Sequence, residues 1–251
     1  MLHHLVLLGS VCAFSPRPLS PRNPHRARAT SAALAPSGVD GLPFAVQQAE
    51  FAATFAALGA SATGIDAAYK NVQRARPKWA WDAWELGAAL LLGVIFMTAG
   101  RSHFTIPAAF IAIYPPTGTW GFWHLPGSPE FHVAWTGVAE LCGGAGLALS
   151  GIIDASALIG ARPNDVAASG GLRSFSARAL FLLVLAVTPA NFLMYSHGAV
   201  MPGIVEGPLS MPWHVARFVA QVSVLSVLLT LSERDRRPAG PDSDDADVQW
   251  R

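Results

Sequence analysis

Charge is the first thing this sequence has little of. Only 13% of its 251 residues are Asp, Glu, Lys or Arg, about half the share of a soluble domain. Cysteine is nearly absent as well. Cys12 and Cys142 are too few for a disulfide framework or a thiolate metal site. No glycine-rich phosphate loop follows a strand signal, which excludes the common nucleotide motifs. The basic residues are not clustered with aromatics, which sets nucleic acid aside. No metal-ligating set and no nucleophile–base pair is spaced for chemistry, so any catalysis requires a bound cofactor or a partner. Acidic residues are missing altogether before Asp40.

What is abundant is apolar surface. Hydrophobic residues make up 52% of the chain, and the mean hydropathy is +0.37. Four apolar runs read as membrane-spanning helices, for which about 20 residues cross about 30 Å of hydrocarbon: 84–99, 133–153, 177–195 and 215–231. Together they predict an all-α, membrane-embedded four-helix bundle over 81–232. Trp79, Trp81 and Trp84 ahead of the first run suit the headgroup level.

The connection from Ser102 to His132 holds a short apolar piece, Pro107 to Tyr114, too short to span. It predicts an interfacial half-helix with Thr105 near its N-cap. Trp120, Phe122 and Trp123 in the same loop read as headgroup anchors, or else as a lid. Pro189 inside the third run should kink it and free a carbonyl, which the amide of Asn191 could cap.

The flanks read differently. Residues 1–13 form a short apolar segment ending in small residues, a signal peptide with His3 and His4 where Lys or Arg is usual. Residues 14–40 are Arg- and Ser-rich without acids until Asp40, like a transit peptide. A signal peptide joined to a transit peptide resembles the bipartite plastid leader of algae with complex plastids. The alternative is a secretory-pathway membrane. Residues 41–80 read as a linker with an interfacial helix, because Phe44, Phe51, Phe55 and Leu58 share a face while Gly59 and Gly64 weigh against a span. Residues 233–251 are charged and rich in helix breakers, a disordered tail.

Ten basic residues fall on one side of the four predicted spans (Lys70, Arg74, Arg76, Lys78, Arg162, Arg173, Arg178, Arg234, Arg236 and Arg237), and only Arg101 and Arg217 on the other. The positive-inside rule places both ends of the domain on the cytoplasmic side, stromal in a plastid. On the opposite side converge Arg101, His103, Glu140, Asn191, Arg217 and Gln221, the candidate ligand-binding residues. His124, His132, His197 and His214 fall there too, and the other span ends carry no comparable cluster. Haem is set aside because no histidine lies inside a predicted span.

Ionisable residues within spans are functional candidates. Glu140 has two readings: an ion-paired strut to Arg101 or Arg217, or a proton-handling group. Gly137, Gly143, Gly144, Gly146 and Ala148 give its helix the small-residue spacing that lets backbones close in.

The ordered segments RSHFTIPAAFIAIYPP, VAWTGVAELCGGAGLAL and LAVTPANFLMYSHG, then RFVAQ, resemble the DoxX-like family of small four-helix membrane proteins. The matching positions are His103, Pro107, Pro115, Gly137, Glu140, Gly143, Pro189 and Asn191. The resemblance implies a redox-linked, quinone-associated subunit, or an accessory subunit, of a membrane redox or photosynthetic complex. A structural assembly factor and a small-molecule transporter are the alternatives. Transport by four helices would require a homo-oligomer.

Overall fold

The computed structural model describes residues 35–75, 78–157 and 163–233. The leader expected over 1–34 and the tail beyond 233 lie outside them. The described chain is helical: α1 (Phe44–Ala75), α2 (Lys78–Thr105), the one-turn α3 (Pro107–Ile111), α4 (Pro129–Ala157), α5 (Pro163–His197) and α6 (Met211–Ser232). Five of these are long and apolar enough to cross a membrane, which makes this an integral membrane protein. Their exposed faces carry Leu91, Val94, Val138, Leu149, Ile152 and Val219, a surface suited to lipid.

The predicted count of four is therefore one short. The linker expected at 41–80 holds α1, 32 residues long with a window of mean hydropathy 1.2. Its apolar stripe continues past Leu58 to Ala62, both buried against Val222 and Leu225 of α6. Gly59 and Gly64 face open space, and glycine is well tolerated in membrane helices. The stripe ends at buried Asp66, which accepts from the Thr230 hydroxyl at 2.8 Å and pairs with Lys70 at 2.7 Å.

The other helices pack in chain order, α2 on α4, α4 on α5 and α5 on α6. Their shared core is Leu92, Phe96, Leu147, Leu180, Leu183 and Leu228. The glycines of α4 do what their spacing predicts. A methyl group on Gly144 would lie 2.8 Å from the Gly93 carbonyl oxygen, and one on Gly137 would lie 2.7 Å from His103 Cβ. The backbones of α2 and α4 therefore touch, as small residues permit in membranes.

Successive long helices α2, α4, α5 and α6 alternate in direction, and α1 runs parallel to α6. The start of α2 and the end of α6 share one end of the bundle, tied there through Arg173–Glu85 and Ser174–Ser232, as four spans require, and the added helix α1 begins at the other end. All four predicted runs exist, but each helix extends beyond its run. As a result His103, His132, His197 and His214 stand on helices rather than in loops.

The end of the bundle whose span ends were expected to carry no comparable polar cluster holds one. Arg173, counted above as a loop cation, is fully buried inside α5. It pairs with Glu85 at 3.5 Å and with Asp154. Ser169 also donates to Asp154. Trp81, expected at the headgroup level, turns inward and donates its indole N–H to Glu85 at 2.7 Å. Trp79 remains exposed.

The half-helix is shorter than predicted, Pro107–Ile111, with Ile106 at its N-cap. Thr105 instead closes α2, its hydroxyl 3.5 Å from the Ser102 carbonyl. Ser128 caps α4, accepting from the Phe131 amide at 3.2 Å.

Candidate functional site

At the end opposite Arg173, helices α1, α2, α4, α5 and α6 surround a cavity of about 780 Å³. That volume lies in the range of small-molecule sites. Its walls are mostly apolar: Phe51 and Phe55 from α1, Phe110 from α3, and Leu185 and Ala190 from α5.

One polar group on the wall is built on His103. Its Nδ1 lies 2.8 Å from the Val133 carbonyl, an acceptor only, so Nδ1 carries the hydrogen. Nε2 then faces Glu140 Oε2 at 3.5 Å. Thr136, one turn before Glu140, sets its hydroxyl 3.3 Å from the same imidazole. His103 also stacks on Phe110, ring centroids 3.9 Å apart. An imidazole lone pair and a carboxylate facing each other accommodate one proton between them, on either partner. Glu140 Oε2 has no hydrogen-bond partner in the protein.

A second group spans α5 and α6. Arg217 donates to Asn191 Oδ1 and contacts Met194 Sδ at 2.7 Å. Asn191 Nδ2 donates to Gln221 Oε1 at 3.2 Å, and Gln221 Nε2 donates to Thr188 Oγ1 at 2.6 Å. Asn191 thus serves its neighbours on α6 rather than capping the carbonyl freed by Pro189. Asn191 and Arg217 both line the cavity.

The six predicted residues are thus divided. His103 and Glu140 meet, and Asn191, Arg217 and Gln221 form one network. Arg101 does not join them: it is exposed at the end of α2 and away from the cavity wall. Glu140 pairs with His103 rather than with either arginine.

Of the two readings of this loop, anchor or lid, the tryptophans do not follow the anchor. Trp120 is fully buried, at φ 55° between Gly118 and Gly121, with its indole N–H 3.1 Å from Ser196 Oγ. It packs on Phe51 and Phe192, and Gln48 of α1 donates to its carbonyl at 3.0 Å. Trp123 walls the cavity, and its buried indole N–H has no partner in the protein. Only Phe122 keeps the exposure of an anchor. Tyr114 lines the same wall, and burial pushes its phenol up, which keeps the hydroxyl protonated. Thr136 was legible in hindsight, since it lies four residues before Glu140 on the same helix face.

Comparison with protein-family models, curated proteins and solved structures returns no match.

Proposed function

We propose that this chain is a DoxX-like membrane subunit that holds a quinone-class amphiphile in its large cavity. The family resemblance rests on the motifs quoted above alone. The observation that carries the reading is a mostly apolar cavity of about 780 Å³ whose wall presents the Trp123 indole N–H without a protein partner and Glu140 Oε2 with only its 3.5 Å approach to His103. Buried polar groups without partners are uncommon; a ring oxygen of the ligand accepts from the Trp123 N–H, and its reduced, quinol hydroxyl donates to Glu140 Oε2.

A quinone supplies carbonyl oxygens that take up protons as the ring is reduced by a partner's electrons. Trp123 offers a donor to one such oxygen. The His103–Glu140 pair holds one transferable proton, and the Val133 carbonyl fixes the imidazole that carries or receives it. Asn191 and Arg217 supply further donors. Leu182 lines the cavity yet is 64% exposed, so the cavity opens on the apolar flank of α5. Membrane-soluble ligands enter by such a route.

The test is mild-detergent purification of the full chain, followed by mass spectrometry of co-purifying lipids. Quinone should be retained by the wild type and depleted at least fivefold in Glu140→Gln. A well-folded wild type that takes up no added quinone overturns the reading and leaves an accessory, structural role. The proposed plastid location, with the Arg173 end facing the stroma, has its own test. A fluorescent fusion of residues 1–40 should enter the plastid, and secretion would refute it.

A further inference from the structure

A second cavity of about 300 Å³ lies between α1, α5 and α6. It shares Asn191 and Arg217 with the large cavity, so these two side chains stand in the partition between them. Phe192, Met211, Val215 and Phe218 make its walls largely apolar, and Arg217 brings the positive charge, beside Asn191 and Gln221. No acidic side chain is among its lining residues.

The charge balance here is unusual. The Arg217 guanidinium is held by neutral acceptors, Asn191 Oδ1 and Met194 Sδ. Among the described residues no carboxylate pairs with it, and Glu140 is engaged with His103. A partly buried cation without a counterion is costly, and charges inside membrane helices normally pair. Two of the five guanidinium N–H groups have protein partners, which leaves donors for a ligand. His214, on the same wall, keeps a buried Nε2 without a protein partner.

We infer that the smaller cavity binds a phosphate-type oxyanion, with Arg217 as its counterion. Guanidinium and phosphate match in geometry as well as charge. Two sources could supply that chemistry, an anionic phospholipid headgroup or free phosphate. Arg217 lies within the first two turns of the spanning helix α6, and basic pockets between such helices take lipid headgroups. The inference shares Arg217 and Asn191 with the quinone reading, but none of His103, Glu140 and Trp123 lines this compartment, so Glu140→Gln tests the quinone reading alone and Thr54→Trp tests this one.

The experiment is native mass spectrometry of the full chain in detergent, with phosphatidylglycerol, phosphatidylcholine or inorganic phosphate added. The expected result is at least a fivefold preference for phosphatidylglycerol over phosphatidylcholine. Arg217→Gln should abolish that preference, and Arg101→Gln, at an exposed cation, should leave it intact. Thr54→Trp, which fills the compartment from α1 while leaving Arg217 and its partners in the chain, should also abolish it and covers the case in which Arg217→Gln does not fold. Competition by millimolar inorganic phosphate would assign the site to the free anion, and absence of competition to the lipid. Equal retention of the two lipids by the wild type, with no phosphate adduct, overturns the inference. A preference that survives both Arg217→Gln and Thr54→Trp overturns it too.

Discussion

The two ends of the bundle handle buried charge in opposite ways. At the Arg173 end, one guanidinium lies between two carboxylates, Glu85 and Asp154, with Trp81 and Ser169 adding hydrogen bonds to them. At the other end, Arg217 has only neutral partners, and Glu140 faces an imidazole across 3.5 Å beside a large cavity. A polar cluster that is closed on itself locks helices together. One that leaves atoms unsatisfied beside open space is built to meet something else. Each end holds an arginine and a carboxylate, and the difference lies in what each charge has been given as a partner.

The largest expected effect falls on the closed end. Arg173→Leu strands Glu85 and Asp154 without their cation, and breaking a buried pair this way costs about 3–5 kcal/mol. The measurement is the yield of monodisperse protein and its Tm in detergent, both expected to collapse. An unchanged Tm would erase the distinction between the two ends.

Next comes the interface that brings α2 to α4. Gly144→Leu drives a side chain into the Gly93 backbone, and overpacking costs about 1–3 kcal/mol. Its Tm should fall and its His103–Glu140 site should loosen, with ligand retention reduced alongside.

Glu140→Gln should separate the two roles. Interhelical polar contacts contribute only about 1 kcal/mol or less, so Tm should move little while quinone retention falls. A loss of stability comparable to that of Arg173→Leu would make Glu140 a strut.

The smallest and sharpest effect belongs to Trp123→Phe. The indole N–H has no protein partner, so its removal should leave Tm unchanged or slightly raised. Affinity for the ligand should weaken by about 1 kcal/mol, the worth of one hydrogen bond. A binding titration at constant protein concentration reads it.

Much of the fold was legible because a bilayer imposes a simple rule, that apolar runs of sufficient length become helices. The four strong runs announced themselves, and the small-residue spacing around Glu140 announced a close helix contact. Helix α1 was harder to read because alanine and glycine dilute its hydropathy. Its stripe through Leu58, Ala62 and Asp66 makes sense only once α6 is beside it.

The site was half legible. The apolar setting of Glu140 marked it as costly, and its depth in the helix suggested neighbours. Which neighbour it would meet was beyond reach, because Arg101, His103 and Arg217 all fell at a similar depth. Helix rotation decided among them, turning His103 inward and Arg101 out. Arg173 shows the converse error. A charge near a predicted span end reads as a loop residue until the helix is seen to begin earlier.

The sequence by itself determined that this chain is helical and lives in a membrane, since both follow from composition and run length. It also marked Glu140 as exceptional. Only the tertiary structure decided which charges are neutralised and which are left facing a cavity. Pairing depends on rotation and register between helices far apart in the chain, and a shift of one residue turns a side chain by about 100°.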